Sequence, residues 1–260
     1  MTTCTIQYTF LDGGSYDGEY NPDTTLAQGK GKRSFDDGSI YDGHWDRGLM
    51  DGYGVMKFGS NCPSLYLFEG SWKNNKFHGE GTLRYRYFHA PGVQSTYQGG
   101  FHEGKRHGKG FGTFLNGESY EGGWEDDMRQ GFGTQIWREG DRYVGQWEED
   151  RRNGFGVYSQ PRGVCYQGQW KDDKCHGVGK QTESNGDCYE GEWKDDKPHG
   201  AGTLIWGTGD CYTGGWQNHK RHGVGTQRWS NGDHYTREWE SDQPVGFLAG
   251  DTVLSNRSVN

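Results

Sequence analysis

Aliphatic side chains are scarce in this sequence of 260 residues, since Leu, Ile and Val together contribute only 24 of them. Such a shortage, combined with a net charge of -8, is typical of chains that stay disordered. Disordered chains are also poor in aromatic residues, whereas this chain has 11 Trp, 16 Tyr and 12 Phe. The composition therefore predicts a folded protein with a core built from rings. It argues against a compact α/β enzyme, whose core needs many aliphatic residues.

Long apolar segments and an excess of basic residues are also missing. No run of about 18 apolar residues is present, so no transmembrane helix is predicted. Residues 1–10 (MTTCTIQYTF) lack the basic region and following apolar region of a secretory signal. The 28 Lys and Arg residues are outnumbered by 36 Asp and Glu, and the isoelectric point is near 5.7. This charge balance argues against a nucleic-acid partner.

What the sequence does contain is one motif, Y-x-G-x-W, that recurs with a period of 23 residues. Ten units are predicted over residues 16–248, with a half-hairpin cap at 1–15 and a C-terminal tail at 249–260. Longer links follow the second and third units, with insertions at residues 59–67 and 86–95. Both insertions fall at the same kind of loop, so they are expected on one edge of a sheet, as a contact surface or as neutral variation. The units begin at residues 16, 41, 68, 97, 120, 143, 166, 189, 212 and 235.

Each unit is too short for two helices, and its alternation has the period of a strand. Tyr, Gly and Trp of the motif share one face of that strand. Six residues rich in Lys, Asp and Asn then form a turn, and a second short strand starts at a G-x-G pair such as Gly177 and Gly179. Each unit is therefore predicted to be a β-hairpin that pairs with the next.

The predicted fold class is all-β: an elongated, single-layer antiparallel β-meander of about ten 23-residue hairpins. Ten hairpins give a sheet roughly 90–100 Å long. Glycine is expected where a ring lies flat on the neighbouring strand. Stacked rings add roughly 0.5–1.5 kcal/mol per pair and replace the missing aliphatic core. Each hairpin would be stable only beside its neighbours.

The pattern Y-x-G-x-W-x(6)-G-x-G resembles the MORN repeat (membrane occupation and recognition nexus), as in YEGEWKDDKPHGAGT from Tyr189 to Thr203. The resemblance implies a curved and twisted sheet with an aromatic-lined groove that holds partner helices or extended segments. Some such arrays precede a catalytic domain, others serve membrane junctions, and repeat-only members belong to cilia, flagella and radial-spoke heads. With 15 residues before Tyr16 and 21 after Trp239, no enzyme domain is expected.

Candidate chemistry is weak throughout. Cys165, Cys188 and Cys211 recur one unit apart, about 9–10 Å, which is too far for a disulfide or a zinc site. Unpaired thiols favour a reducing compartment. The same spacing argues against metal binding by the histidines that precede the G-x-G pair, and adjacent acids such as Asp172-Asp173 suit turns. No cofactor, metal or catalytic residue is predicted. These histidines are His78, His107, His176, His199 and His222.

Phospholipid binding would need a basic edge. The turns are nearly neutral in sum, and Lys220 and Arg221 form the best candidate patch for an anionic lipid. A row of Tyr and Trp is better suited to protein partners. It serves as a partner-binding groove or packs only on itself. The residues predicted to line this groove are Tyr120, Trp124, Tyr143, Trp147, Tyr166, Trp170, Tyr189, Trp193, Tyr212 and Trp216.

We therefore expect a non-enzymatic scaffold of a cytoskeletal assembly, resembling the ciliary and radial-spoke-head members of the family. Its expected location is the cytoplasm, in the axoneme of a cilium or flagellum. Its expected partners are other proteins of that complex, with self-association through the sheet ends as a further contact. The alternatives are a peripheral adaptor that binds phosphoinositides and an accessory subunit that recruits an enzyme.

Overall fold

A computed structural model describes residues 4–11, 13–62, 64–85 and 95–245 of the chain. Most of the insertion at 86–95, the end of the last predicted unit and the tail at 249–260 lie outside the described residues. The chain divides into two compact bodies, Met1–Arg138 and Glu139–Asn260, each considered by itself.

The described residues of both bodies form antiparallel strands that pair in chain order. The N-terminal body contains β1 (Cys4–Thr9), β2 (Ser15–Tyr20), β3 (Ala27–Ser34), β4 (Ile40–Asp46), β5 (Leu49–Lys57), β6 (Leu65–Lys73), β7 (Lys76–Tyr85), β8 (Thr96–His102), β9 (Lys105–Thr113), β10 (Ser119–Glu125) and β11 (Met128–Ile136). The C-terminal body contains β12 (Arg142–Glu148), β13 (Arg151–Ser159), β14 (Cys165–Lys171), β15 (Lys174–Thr182), β16 (Cys188–Lys194), β17 (Lys197–Ile205), β18 (Cys211–Gln217), β19 (Lys220–Arg228), β20 (His234–Glu240) and β21 (Gln243–Val245). The prediction of an all-β fold of antiparallel hairpins is confirmed.

The turn inside the hairpins is shorter than predicted, except between β2 and β3, where six residues separate the strands. Between β14 and β15 it consists of only Asp172 and Asp173, with φ angles of 47° and 67°. Two successive positive φ angles match the twist of the flanking strands, and Asp tolerates them well. The remaining residues predicted as turn belong to β15, which begins at Lys174, three residues before Gly177.

A β-bulge explains why six residues separate the motif Trp from the G-x-G pair. Gly168 lies opposite Gly179 and Trp170 lies opposite Cys175, so β15 carries extra residues between these two pairs. Gly177 lies in this bulge with φ of +65°, a left-handed conformation that favours glycine. The first glycine of G-x-G is therefore required by the backbone, and not by ring packing as predicted.

The second glycine of G-x-G has the predicted role. A Cβ added to Gly179 would overlap the ring of Tyr166, and one added to Gly168 would lie 2.5 Å from the Cα of Gly179. The tyrosine ring thus lies directly on the backbone of a glycine pair that two adjacent strands bring together.

The hairpins are joined to one another by short loops that contain glycine. After β15, Glu183 and Asp187 close a loop in which the amide of Gly186 donates to the carbonyl of Glu183 at 3.0 Å. The side chain of Asn185 accepts from the amide of Asp187 at 3.0 Å. At the N-terminus, β1 pairs with β2 where a half-hairpin cap was predicted.

Replacing Gly179 with alanine should destabilise the C-terminal body by about 1–3 kcal/mol, because the new methyl overlaps the Tyr166 ring. The matched control is Val178→Ala on the opposite face, where 60% of the side chain is exposed. This control should change stability by no more than about 0.5 kcal/mol. Urea unfolding followed by tryptophan fluorescence measures both. Equal effects would contradict the assigned role of the second glycine.

Candidate partner-binding surface

The motif rings form a continuous row on one face of each sheet, which we call the aromatic face. In the C-terminal body, Tyr166 contacts Trp170 of its own repeat at a centroid distance of 5.1 Å and Trp193 of the next repeat at 5.2 Å. The interplanar angles are 82° and 89°. The rings therefore meet edge to face and are not stacked as predicted. This geometry places the positive ring edge against a negative ring face.

In most repeats the polar atoms of these rings are satisfied by the backbone, whereas Trp124 Nε1 is buried without a hydrogen-bond partner among the described residues. Tyr166 Oη donates to the carbonyl of Gln169 at 2.9 Å, and the same bond three residues along recurs in the other repeats. Trp193 Nε1 donates to the carbonyl of Gly179 at 3.1 Å, across the boundary between repeats. Buried rings with satisfied polar atoms behave as a core. The tryptophans that donate to a glycine of the preceding repeat are Trp45, Trp72, Trp170, Trp193, Trp216 and Trp239.

Burial raises the pKa of the tyrosine hydroxyls. The pKa of Tyr212 rises from 10.0 to about 12, first because the ring is desolvated. The same cause raises the pKa of Tyr16 to about 12. The pKa values of Tyr143, Tyr166 and Tyr189 are also raised by burial. These phenols therefore stay neutral donors at physiological pH.

The ten residues predicted to line a partner groove all lie in this core. Tyr120, Tyr143 and Tyr212 are 0% exposed, and the largest exposure of the ten is 7%, at Trp216. Most of the surface of these rings is thus packed inside the protein, as in the alternative in which the rings pack on each other. Their contact with a partner stays a prediction, and it can involve only the ring edges that neighbouring side chains leave uncovered.

In several repeats an arginine lies over the rings. It is the second residue of the second, longer strand of the hairpin. Arg152 places its Cζ 4.2 Å from the centroid of Trp170, and its Nε donates to Asp173 Oδ1 at 3.0 Å. Arg221 does the same over Trp239 at 4.0 Å, and its Nη1 donates to Gln227 Oε1 at 3.2 Å. These contacts seal the aromatic face where they occur.

The aspartate of each such pair also attaches one hairpin to the next. The amide of Asp173 donates to the carbonyl of Arg152 at 3.0 Å, and the amide of Arg152 donates to Asp173 Oδ1 at 3.0 Å. The prediction that the adjacent acids serve backbone bonding agrees with this arrangement. The second acid of the pair has this role, while Asp172 forms an exposed ion pair with Arg151 at 3.1 Å.

The aromatic face is open where the arginine is replaced. Cys175 and Pro198 occupy the arginine position in the repeats that begin at 166 and 189. A cavity of about 260 Å³ lies beside Pro198 and is not lined by Cys175. We call it the recess, and its aromatic and apolar lining is Tyr189, Trp193, Pro198, Leu204 and Trp216. Its polar lining consists of the carboxylates of Glu183, Asp187 and Asp196 together with Gln181 and His219.

Sequence reasoning missed a row of exposed apolar side chains on the opposite face. They occupy the middle position of the G-x-G pair, as in Phe155, Val178 and Val224, which are 51%, 60% and 60% exposed. Phe132 is 66% exposed at the same position in the N-terminal body. The signal was available, since a residue between two aligned glycines must point away from the ring.

The candidate lipid patch is reduced by the contacts of Arg221. Its guanidinium lies over Trp239 and bonds Asp242 and Gln227, and its side chain is only 23% exposed. Lys220 is exposed at the start of β19. Lipid binding at this patch stays a prediction that depends chiefly on Lys220.

The histidines are closer together at one place than the 23-residue period predicts. His102 lies between His78 and His107, with ring centroids 5.2 Å and 5.5 Å away. His102 lies outside the repeated position, so the periodic argument overlooked it. Within the described ranges, no group of three or more His, Cys, Asp or Glu side chains is arranged to hold a metal ion.

The six cysteines are free thiols. Cys175 is buried, and desolvation raises its pKa from 9.0 to about 12, with a further contribution from Asp196. In the part of the chain that the structure describes, no helix is long and apolar enough to cross a bilayer.

The MORN repeat family model matches nine segments, at residues 26–40, 41–62, 68–86, 97–118, 120–142, 143–164, 166–188, 189–211 and 212–234. Together they cover well over half of the chain, and the protein therefore belongs to the MORN repeat family. MORN repeats are generally structural or binding modules and not enzymes. The chain is thus a repeat-based module of the kind used for protein interaction or membrane binding.

Curated relatives match only part of the chain. Alsin of Rattus norvegicus is 33% identical over 112 residues, which is 40% of this chain and 6% of alsin. Protein TIC 100 of Arabidopsis thaliana is 34% identical over 87 residues, which is 33% of this chain and 10% of that protein. The chain thus spans a tenth or less of these relatives, and neither relative specifically indicates an axonemal function.

Among solved structures, the TCP domain of SAS-4 from Drosophila melanogaster, in complex with a proline-rich motif of Ana2, covers 90% of both chains. Its TM-score is 0.31 and its sequence identity is 10%, a likeness too slight to support an argument about this chain.

Stability should fall at alkaline pH. The unfolded state ionises its tyrosines near pH 10.0, whereas the folded state holds Tyr212 and Tyr16 protonated to about pH 12. The unfolded state therefore binds fewer protons above pH 10, and the free energy of unfolding falls there while it stays level below about pH 9. Urea unfolding at several pH values tests this. Tyr166→Phe should make the fall shallower, and a level profile to pH 12 would contradict the prediction.

The attachment between hairpins should depend on the second acid of the turn. Asp173→Ala removes the acceptor for the amide and Nε of Arg152, and should cost about 1–2 kcal/mol. The matched variant Asp172→Ala shares the cost of placing alanine at a positive φ angle but removes only an exposed ion pair, so it should cost about 1 kcal/mol less than Asp173→Ala. Thermal unfolding of both variants measures the difference. A larger loss from Asp172→Ala would show that the attachment is assigned to the wrong residue.

Proposed function

We propose that this protein is a non-enzymatic scaffold that holds partner proteins against its aromatic face, as a component of a cytoskeletal assembly. The finer location, a cilium or flagellum with a radial-spoke-head-like role, rests only on the family resemblance. The aromatic face supports a protein partner because it combines a rigid, hydrogen-bonded framework with rings, and rings are frequent anchors of protein interfaces.

The recess is the observation that carries the proposal. Elsewhere in the C-terminal body, Arg152 lies over Trp170 and Arg221 lies over Trp239, although a second cavity of about 730 Å³ adjoins Arg221 and Trp239. At the recess, Pro198 and Leu204 leave an apolar cavity of about 260 Å³ open above Trp193. A cavity of this size suits one inserted side chain of a partner.

Charge favours a protein over an anionic membrane. The chain has a net charge of -8, and the rim of the recess is acidic. Both features repel anionic headgroups. The alternative, a peripheral adaptor that binds phosphoinositides, is supported by exposed Lys220 and by the membrane-binding use of the family.

Self-association through the sheet ends is part of the proposal for the N-terminal body. Its first strand, β1, pairs only with β2 among the described residues, so its other edge offers unpaired backbone groups. Ile6 and Tyr8 on this strand are 40% and 45% exposed.

A sealed variant tests the proposal in cells. Pro198→Arg with Leu204→Gln reproduces the pair formed by Arg221 and Gln227, so the variant should fold while closing the recess. The tagged wild type is expected in the detergent-insoluble cytoskeletal residue of ciliated cells. The sealed variant should be retained at least about fivefold less, which corresponds to about 1 kcal/mol of lost binding.

Two controls separate the readings. The matched variant Val178→Gln with Val224→Gln alters the opposite face and should leave retention unchanged. If the sealed variant is retained fully, the recess is not the partner site. If the wild type instead leaves with detergent-soluble membrane and floats with vesicles of phosphatidylcholine and phosphatidylinositol bisphosphate at about 0.15 M salt, the adaptor alternative replaces the scaffold.

A further inference from the structure

The chain itself shows how its aromatic face binds a guanidinium group. Arg152 lies over Trp170 with its Cζ 4.2 Å from the ring centroid, and its Nε lies 3.0 Å from an oxygen of Asp173. The same trio is formed by Arg221, Trp239 and Asp242, with 4.0 Å and 3.3 Å. In the N-terminal body, Arg106, Trp124 and Asp127 repeat it with 4.0 Å and 2.9 Å. The combination of a ring face and one carboxylate is therefore a recurring guanidinium site.

The repeat that begins at 166 keeps the ring and the carboxylate of this trio but lacks the arginine. Cys175 takes the arginine position, paired opposite Trp170 and preceding Trp193 in the next repeat. Asp196 accepts from the amide of Cys175 at 2.8 Å, as Asp173 accepts from the amide of Arg152 at 3.0 Å. The carboxylate is thus held in the same place relative to Trp193, without a guanidinium of this chain beside it.

The neighbouring repeat enlarges the opening. Pro198 takes the arginine position before Trp216, and Leu204 replaces the glutamine that bonds Arg221 in the next repeat. Trp193 and Trp216 both line the cavity beside these residues, although their rings are buried. Pro198 and Leu204 thus take part in forming the recess.

Two further carboxylates give the recess a cation-binding character. Asp187 Oδ1 is fixed by the amide of Gly207 at 2.8 Å, and the side chain of Glu183 accepts from Gln181. With Asp196, they place three carboxylates in a lining that also contains the rings and the side chains of Gln181 and His219. Acidic groups beside ring faces attract cations, and the planar guanidinium both stacks on a ring and bonds carboxylates in a fork, which an ammonium does not.

We propose that the recess binds an arginine side chain of the partner protein, whose guanidinium lies against Trp193 and bonds Asp196 from within the recess, as the chain's own arginines lie over a tryptophan and bond an aspartate in other repeats. This inference rests on the proposed function, since it specifies the chemistry of the partner at the same site. It commits to arginine in preference to a neutral or apolar side chain.

The test uses the purified full chain and N-acetylarginine amide as the probe, followed by the indole N–H signals of the tryptophans in NMR spectra. The signals of Trp193 and Trp216 should shift and saturate, with an apparent Kd on the order of 1–10 mM, the range of a single side-chain contact. The signal of Trp170 should not move, because Arg152 covers its ring. N-acetylcitrulline amide, a neutral analogue of the same shape, should produce no saturable shift.

A variant that supplies the missing arginine completes the test. Cys175→Arg should place its guanidinium over Trp193 and beside Asp196, and should weaken the response to the probe at least tenfold. Cys175→Met fills similar space without charge and should retain the response to within about threefold. An unfolded variant would be recognised by loss of the dispersed indole signals. For that case a second variant is Asp196→Asn, whose side-chain oxygen still accepts from the amide of Cys175. It should also weaken the response severalfold.

Three results would overturn the inference: no saturable shift at Trp193 or Trp216, an equal response to citrulline, or an equal response to N-acetyllysine amide. None of these would overturn the scaffold proposal, because the recess could still hold an apolar side chain of a partner. Conversely, if the sealed variant and the wild type are retained equally in cells, the proposed scaffold contact at the recess is overturned, whatever the purified chain binds. The two failures are therefore distinguishable.

Discussion

Most repeats of this fold depend on one contact, in which the motif tyrosine, or Phe68 in the third repeat, lies on two paired glycines. For Tyr166 these are Gly168 and Gly179, and a Cβ on either would overlap the ring or the facing strand. Glycine costs about 1 kcal/mol of conformational entropy in a strand, and the buried ring and its edge-to-face partners offset that cost. The same contact explains why so few aliphatic residues are needed, because the packing of rings on the backbone replaces the packing of aliphatic side chains on one another.

The framework leaves two side-chain positions free to vary without disturbing that contact. They are the second residue of the longer strand, such as Arg152 or Pro198, and the residue paired with the motif tyrosine, such as Leu204 or Gln227. An arginine with a glutamine lies over the rings, whereas proline with leucine leaves a cavity of about 260 Å³ beside rings that stay buried. Differences between repeats at these positions therefore change the surface of the aromatic face from one repeat to the next.

Much of the fold was predictable because its causes are local and repeated. The period of 23 residues and the alternation of Tyr, Gly and Trp predict a chain of hairpins, and the structure confirms it. The two-residue turn was not predicted, because the bulge at Gly177 lengthens the gap between Trp170 and the G-x-G pair without lengthening the turn. The edge-to-face rings were not predicted either, since ring orientation depends on the neighbouring repeat and leaves no mark in the spacing.

The candidate surface, too, was predictable from the sequence only in part. The sequence by itself determined which face carries the rings, since strand periodicity places every second residue on one side. Only the tertiary structure decided that these rings are a buried core and that Arg221 is held by Trp239 and Asp242. It also decided that a recess with three carboxylates in its lining lies beside Pro198 and Leu204. The physical reason is that exposure depends on side chains contributed by adjacent repeats, and a pattern read along one chain does not contain the distances between them.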